Sequence, residues 1–256
     1  MIVNHPHAEP DARPTHNGYA GTPSPVGLAA FYEFSVQVGG EPDAHTGYVL
    51  DIKAIDDAAR QSLYSTLSRA AHDPGRDAEP CRFLPAAARE LTVLLPSLKL
   101  LRLSVSPFLS YEVAMSSPPT VTIRQRFDFA AAHRLNVPTL SREQNTALFG
   151  KCNNEKGHGH NYQFEPAITL SSDSPIPVHA IEQACKQTIL DRFDHKHLNE
   201  DCAEFDLARG GVNPSVENIA RVFFHLLAPA VQRLPGARLT ALTVWETDRT
   251  SATYSE

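Results

Sequence analysis

Residues 158–170 read HGHNYQFEPAITL, and the reading of this stretch governs the rest of the chain. It reads as a strand, and along a strand residues two apart point to the same side, roughly 7 Å from each other. His158 and His160 therefore present two imidazoles side by side, while Gly159 leaves the opposite face uncrowded. Such a pair can chelate a metal, or it can be an ordinary polar strand face. A catalytic zinc keeps three protein ligands and one open position, so a chelating pair needs a partner. His133 closes an upstream strand-like run, and an antiparallel neighbour would bring it alongside.

Just upstream of the pair, KCNNEKG at 151–157 is too polar to be core and contains Cys152. A thiol near a dication and imidazoles favours the thiolate, the form that acts as base or nucleophile. Cys152 could instead be a fourth zinc ligand, which would close the site. Glu155 is a second possible base in the same loop, or a plain exposed loop residue. Downstream, Asp194 and His195 follow a helix that begins near Val178. A helix C-terminus favours imidazolium, and an adjacent carboxylate orients the ring, so His195 is a candidate proton donor and acceptor. In LTVWETD at 242–248, Glu246 sits in a strand of Leu242, Val244 and Trp245. A carboxylate accepts two parallel N–H bonds, so Glu246 can grip a guanidine-like edge such as the amino-amide edge of a pterin. The plainer reading of Glu246 is a strand-end salt bridge.

The elements around these residues follow from pattern. TVTIRQRFDFAAAHRL, 120–135, places Val121, Ile123, Phe127 and Phe129 on one face, as a strand does. Ser141 with Gln144 three residues on resembles a capping box, and Gly150 marks the helix end. Ser215 caps a helix running through Leu227, and Pro229 is where that helix is expected to end or kink.

The first half repeats the plan of the second. LAAFYEFSVQV, then GYVLDIKAIDDAARQSLYSTLSRA, then LKLLRLSVSPFLSYEVAMS run parallel to GHNYQFEPAITL, PVHAIEQACKQTILDRF and RLTALTVWETDRTSATYS. Tyr32 matches Tyr162, Phe34 matches Phe164 and Val105 matches Val244, a period near half the chain that suggests a duplicated unit. SSPPT at 116–120 reads as the linker, since paired prolines continue neither helix nor central strand. Residues 1–27, rich in Pro, Gly and His, read as a mobile tail.

The 256 residues allow one large domain or two small ones. A formal charge of −6 argues against a nucleic-acid or membrane-surface protein, because phosphate binding needs a basic face. No apolar run reaches the roughly 18 residues of a membrane span, and the N-terminal stretch lacks the basic and apolar regions of a secretory signal. Cys81, Cys152, Cys185 and Cys202 are widely scattered and form no disulfide framework, so a cytoplasmic location is expected.

FDFAAAHRL, LFGKCNNEKGHGHNY, DRFDHKHLN, NPSVENIA and VWETD occur in this order over residues 121–256. Together they resemble the 6-pyruvoyltetrahydropterin synthase family, which includes the 6-carboxytetrahydropterin synthases of queuosine biosynthesis. The resemblance implies an α+β T-fold, an antiparallel sheet backed by two helices, whose subunits join their sheets into a barrel as a homo-oligomer. It implies zinc on His133, His158 and His160, Cys152 as proton-abstracting base with Asp194 and His195 as acid–base partners, and substrate held by Glu246 and Ser215. The substrate implied is 7,8-dihydroneopterin triphosphate, and the enzyme a lyase. Internal redox transfer would give the pyruvoyl product of tetrahydrobiopterin biosynthesis; side-chain cleavage with loss of acetaldehyde would give the carboxy product. The five residues between Cys152 and His158 look like the pyruvoyl-type loop.

Two features depart from the family pattern. The hairpin that ends in TG-x-V-x-D is contracted to SSDSPIPVHA in the second half, yet survives as HTGYVLDIKAID at 45–56. The first half, 28–116, has VGLAAFYEF where GHGHNYQF stands later and Pro107 where Glu246 stands. It reads as a degenerate copy without a metal site, making the chain a tandem T-fold with its catalytic domain at 121–256. Two other functions are weighed against the synthase: aldol cleavage of a dihydroneopterin on the same site with Glu155 as base, and a non-enzymatic pterin-binding scaffold.

Overall fold

The computed structural model describes residues 1–4, 23–72, 79–117, 119–171 and 176–256. The chain divides into two compact units, Met1–Arg124 with Leu170–Pro175, and Gln125–Thr169 with Ile176–Glu256. Both are α+β, with antiparallel strand pairing.

In the first unit, β1 (Ile2–Val3) pairs with β2 (Ala30–Phe31). There follow β3 (Glu33–Val38), α1 (Ile52–His72), α2 (Pro80–Leu94), β4 (Leu98–Ser106), β5 (Leu109–Ala114) and β6 (Thr120–Gln125). The strand order is β3-β4-β5-β6. Alternation buries Leu101 and Leu103 of β4 with Tyr111 and Val113 of β5, while Leu63 and Leu67 of α1 and Leu84 and Leu91 of α2 fill the core. Of the stretch expected to be a tail, residues 5–22 lie outside the described residues. Residues 1–3 are packed: Met1, Ile2 and Val3 are each at most 5% exposed. A short apolar run against a strand edge buries its side chains more favourably than water solvates them.

The second unit runs β7 (Phe127–His133), α3 (Arg142–Phe149), β8 (His158–Leu170), α4 (Val178–Cys185), α5 (Asp191–Phe193), β9 (Lys196–His197), α6 (Leu198–Asp201), α7 (Val216–Gln232), β10 (Ala237–Thr247) and β11 (Thr250–Ser255). Its strands lie in the order β11-β10-β8-β7, with β9 parallel to β7. The single strand expected over 120–135 is two, β6 and β7, broken at Arg126, whose guanidinium lies 3.3 Å from Glu165 and over the Trp245 ring. The capping box is present: Ser141 Oγ accepts the Gln144 N–H and the Gln144 side chain accepts the Ser141 N–H. A π-helical turn at Lys186–Leu190 joins α4 to α5.

The core of this unit is aromatic. Phe129 stacks on Tyr162 at 5.0 Å, Phe223 of α7 lies 5.3 Å from Phe129 and 4.8 Å from Phe193, and Phe164 meets Phe223 edge-on. Each fully buried ring contributes roughly 1.5–3 kcal/mol from burial alone. This packing sets where α7 ends. The helix does not stop at Pro229 but continues to Gln232. Interior proline costs about 3 kcal/mol, and burial of Ala230 and Val231 on the face that begins with Val216, Ile219 and Phe223 offsets it.

Candidate metal centre

The register of β7 on β8 builds the centre: His133 stands opposite His158, and Phe127 opposite Phe164. His133 is buried, and His158 and His160 project from β8 toward it. The ligand nitrogens of the three all lie within 4.8 Å of one another, with His133 Nε2 3.1 Å from His158 Nε2. Corners of a tetrahedron around an ion with 2.0–2.1 Å bonds are about 3.3 Å apart. The His133 ring is oriented from outside the sheet: its Nδ1 lies 2.8 Å from the Pro214 carbonyl. A carbonyl only accepts, so Nδ1 carries the proton and the Nε2 lone pair faces the cluster. His160 Nε2 is buried without a hydrogen-bond partner. An orphaned buried nitrogen beside an oriented lone pair fits a cation of the zinc class, with His133, His158 and His160 as its holders.

Burial drives the His133 imidazole down to about 4, against the Pro214 hydrogen bond and with help from His158 and His160. The ring is therefore neutral, the form that ligates. Burial, then the neighbouring His160, also lowers His158. A pH dependence follows for the metal-free protein. Above the ordinary 6.5 neither folded nor unfolded chain holds the His133 proton; below it the unfolded chain takes it up and the fold refuses it. Stability is expected to fall as pH drops from about 6.5 to about 4, by roughly 3 kcal/mol across the window. Melting of chelator-treated protein at several pH values, against His133→Leu, checks this; equal slopes for both proteins would contradict it.

Gly157 permits the approach of β8 to the end of β7. Its φ is +69°, and a Cβ there would lie 2.6 Å from His197 Nε2 and 2.9 Å from the His133 carbonyl oxygen. The requirement for glycine thus falls at 157. A Cβ at Gly159 would meet the Ala131 carbonyl oxygen at 3.8 Å, an ordinary contact, in keeping with the uncrowded face expected from sequence.

Cys152 lies in a tight turn, Gly150–Asn153, and its carbonyl accepts the Leu135 N–H at 2.9 Å, two residues past His133. The thiol is free and half-buried. With Arg142, Lys151, Asn154, Glu155 and His158 it lines a cavity of about 680 Å³. Glu155 is paired with Arg142 at 3.3 Å, both largely exposed. Asp194 and His195 are clipped to β7 through one residue: Asp194 Oδ1 accepts the Ala130 N–H at 2.8 Å, and the His195 N–H donates to the Ala130 carbonyl at 2.6 Å. Asp194 Oδ2 lies 2.9 Å from His195 Nδ1. The Ala130 hydrogen bond, then the His195 side chain, hold the Asp194 carboxyl below its ordinary value against slight burial. His195 is the one non-glycine with positive φ, +57°, among the described residues, and its ring is 82% exposed. It lines a second cleft with Gly159, His160 and His197, whereas Cys152 and His158 line the first.

Glu246, near the end of β10, does not point outward. Its Oε1 lies 3.3 Å from His133 Nε2 and 3.6 Å from His160 Nε2. Ser215 is the N-cap of α7, its Oγ accepting the Asn218 N–H, and it adjoins the Pro214 carbonyl that orients His133. Three contributors escaped the sequence reading. Pro214 acts through its backbone, and Ala130 likewise. Tyr162 continues the His158–His160 face of β8, edge-on to the His133 and His160 rings; burial first and Glu246 second push its phenol up. The period of two that picks out the histidines also picks out Tyr162, and so was available as a signal.

An antiparallel pair of strands presenting three convergent imidazoles defines an α+β protein with a candidate metal site. A family model described as 6-pyruvoyl tetrahydropterin synthase matches residues 122–256. The chain belongs to that family. The human 6-pyruvoyl tetrahydrobiopterin synthase is 32% identical over 136 residues, 52% of this chain and 89% of that protein. The Drosophila melanogaster protein of the same name is 38% identical over 95 residues, 36% of this chain and 56% of the fly protein. The solved Caenorhabditis elegans 6-pyruvoyl tetrahydropterin synthase is 30% identical, covering 54% of this chain and 96% of that one at a TM-score of 0.48. Among the described residues, no helix is long and apolar enough to cross a membrane.

Proposed function

We propose that the chain is a zinc-dependent lyase of the cytoplasm that takes 7,8-dihydroneopterin triphosphate, releases triphosphate and leaves a 6-substituted tetrahydropterin, either 6-pyruvoyl or, with release of acetaldehyde, 6-carboxy. The observation that carries this reading is the convergence of His133, His158 and His160, with the free thiol of Cys152 in a cavity that His158 also lines. When bound, zinc supplies Lewis-acid stabilisation of negative charge on the side-chain oxygens of the substrate.

The chain's own groups do the rest. Cys152 Sγ takes the proton from the hydroxyl-bearing side-chain carbon next to the ring. The electron pair moves into the ring C=N bond, which is reduced as that carbon becomes a carbonyl; loss of a proton from the next carbon then expels triphosphate as its carbon–oxygen bond breaks. Asp194 holds His195 by Nδ1, so that Nε2 is the atom that returns a proton to carbon. The exposure of the His195 ring leaves it open to substrate held by the same copy or by a neighbour in the homo-oligomer. Glu246 accepts the two N–H groups of the pterin amino-amide edge, with Ser215 beside it, and Arg142 and Lys151 offer positive charge to the triphosphate in the cavity by Cys152. Residues 121–256 act as the catalytic T-fold domain. Residues 28–116 act as a degenerate copy that contributes sheet and helices when subunits close their sheets into a barrel, and 1–27 as the tail preceding it.

The test is product analysis. Metal-replete protein with 7,8-dihydroneopterin triphosphate is expected to release triphosphate and yield a pyruvoyl or a carboxy tetrahydropterin by mass spectrometry. No turnover would end the enzyme reading, and a hydroxymethyl pterin would replace it with aldol cleavage.

A further inference from the structure

The direction of the Glu246 side chain is not accounted for by pterin recognition alone. A carboxylate serving only that purpose would face the space where the ring lies. Glu246 Oε1 instead stands 3.3 Å from His133 Nε2 and 3.6 Å from His160 Nε2, with its side chain 19% exposed. His133 donates its Nδ1 proton to the Pro214 carbonyl, so a ring that ligates through Nε2 has no proton there to share with Glu246. An anionic oxygen and an imidazole lone pair at that distance repel unless a cation lies between them. Both spacings are close to the roughly 3.3 Å that separates neighbouring corners around a tetrahedral zinc. One carboxylate oxygen is thus already at corner distance from two of the three histidine nitrogens. The mutually close ligand atoms are the three imidazoles alone, so the carboxylate has to swing toward His158 to fill the fourth corner.

We propose that Glu246 closes the fourth coordination position of the metal in the substrate-free protein and surrenders it when a pterin amino-amide edge draws the carboxylate away. The inference rests on the zinc reading of the three histidines and on Glu246 as the pterin-edge acceptor. Its content is that one carboxylate cannot serve both partners at once. Recognition of the ring is then the event that opens the metal to the side-chain oxygens, and small anions are kept off until the ring is bound. A ligand able to bind oxygen to the metal but lacking the amino-amide edge meets a closed site, and its apparent affinity is reduced by the fraction of time the site stands open.

The experiment uses the full chain loaded with Co²⁺ in place of zinc, with azide as an exogenous ligand and the visible spectrum as readout. In the wild type azide is expected to leave the spectrum nearly unchanged. In Glu246→Gln it binds saturably and at least about tenfold more tightly, as expected if the site stands open a tenth of the time or less in the wild type. Adding 6-methylpterin, which has the amino-amide edge but no side-chain oxygens, is expected to make the wild type azide-sensitive and to leave Glu246→Gln unaffected. Glu246→Asp, whose shorter arm reaches the metal poorly, is expected to fall between the two and serves if the glutamine variant does not fold. Equal azide affinity in wild type and variants overturns the inference while leaving the metal site standing. Cobalt binding that survives His133→Ala unchanged overturns the zinc reading and this inference with it.

Discussion

Cys152→Ala is expected to lower turnover of 7,8-dihydroneopterin triphosphate by a factor of about 10²–10⁴, the range that loss of a positioned acid–base group costs, while metal content stays at the wild-type value. The two readouts separate a lost base from a lost site. Cys152 belongs to a turn that is held to β7 by the Leu135 N–H to Cys152 carbonyl bond, a backbone contact that alanine keeps. The side chain is half-buried at the mouth of a cavity, so its removal leaves little void. Elemental analysis and a melting curve should therefore match the wild type when the rate does not. A variant retaining more than a tenth of the wild-type rate would remove the thiol from the mechanism and move attention to Glu155, now paired with Arg142.

His133→Ala is the second large effect, and it differs in kind. Two losses coincide: a metal ligand disappears, and the Pro214 carbonyl loses the N–H that satisfies it. Metal affinity is expected to fall by more than the 10–100-fold that even an outer-shell partner is worth, and turnover with it. The metal-free variant is also expected to be less stable at neutral pH by about 2–3 kcal/mol, from an unsatisfied buried acceptor together with the cavity left by a fully buried ring. His158→Ala provides the contrast, since that ring is only partly buried. Its metal affinity should drop comparably while its metal-free melting temperature changes much less. Competition with a chromophoric chelator and calorimetry of the stripped proteins check both statements. Undiminished metal affinity in His133→Ala would mean that the three imidazoles do not share an ion.

Local pattern carried the reading wherever the determining interactions are local. The period of two put His158 and His160 on one side of β8, and the same alternation separated the half-buried Phe127 and buried Phe129 from the exposed Asp128. The capping box at Ser141 and the helix start near Val178 depend on neighbours within a few residues. Pro229 shows where local reasoning gives out: the penalty is local, but Ala230 and Val231 are held by contacts made elsewhere in the fold. Residues 1–3 show the same limit, because a three-residue apolar run acquires a meaning only when another strand is there to cover it.

What the sequence by itself determined is the inventory and its nearest-neighbour geometry: two imidazoles on one strand face, a thiol in a polar loop, an Asp-His pair after a helix, and a carboxylate near a strand end. Tertiary structure decided how these meet. Only pairing across 25 positions sets His133 opposite His158, and only packing of α7 delivers a carbonyl from Pro214, 81 positions away, to fix which nitrogen of His133 bears the proton. It also turned Glu246 inward, toward the imidazoles. The reason is physical: ligand direction and protonation depend on the burial and hydrogen-bond partners of each group, and those partners are supplied by residues whose proximity no local periodicity encodes.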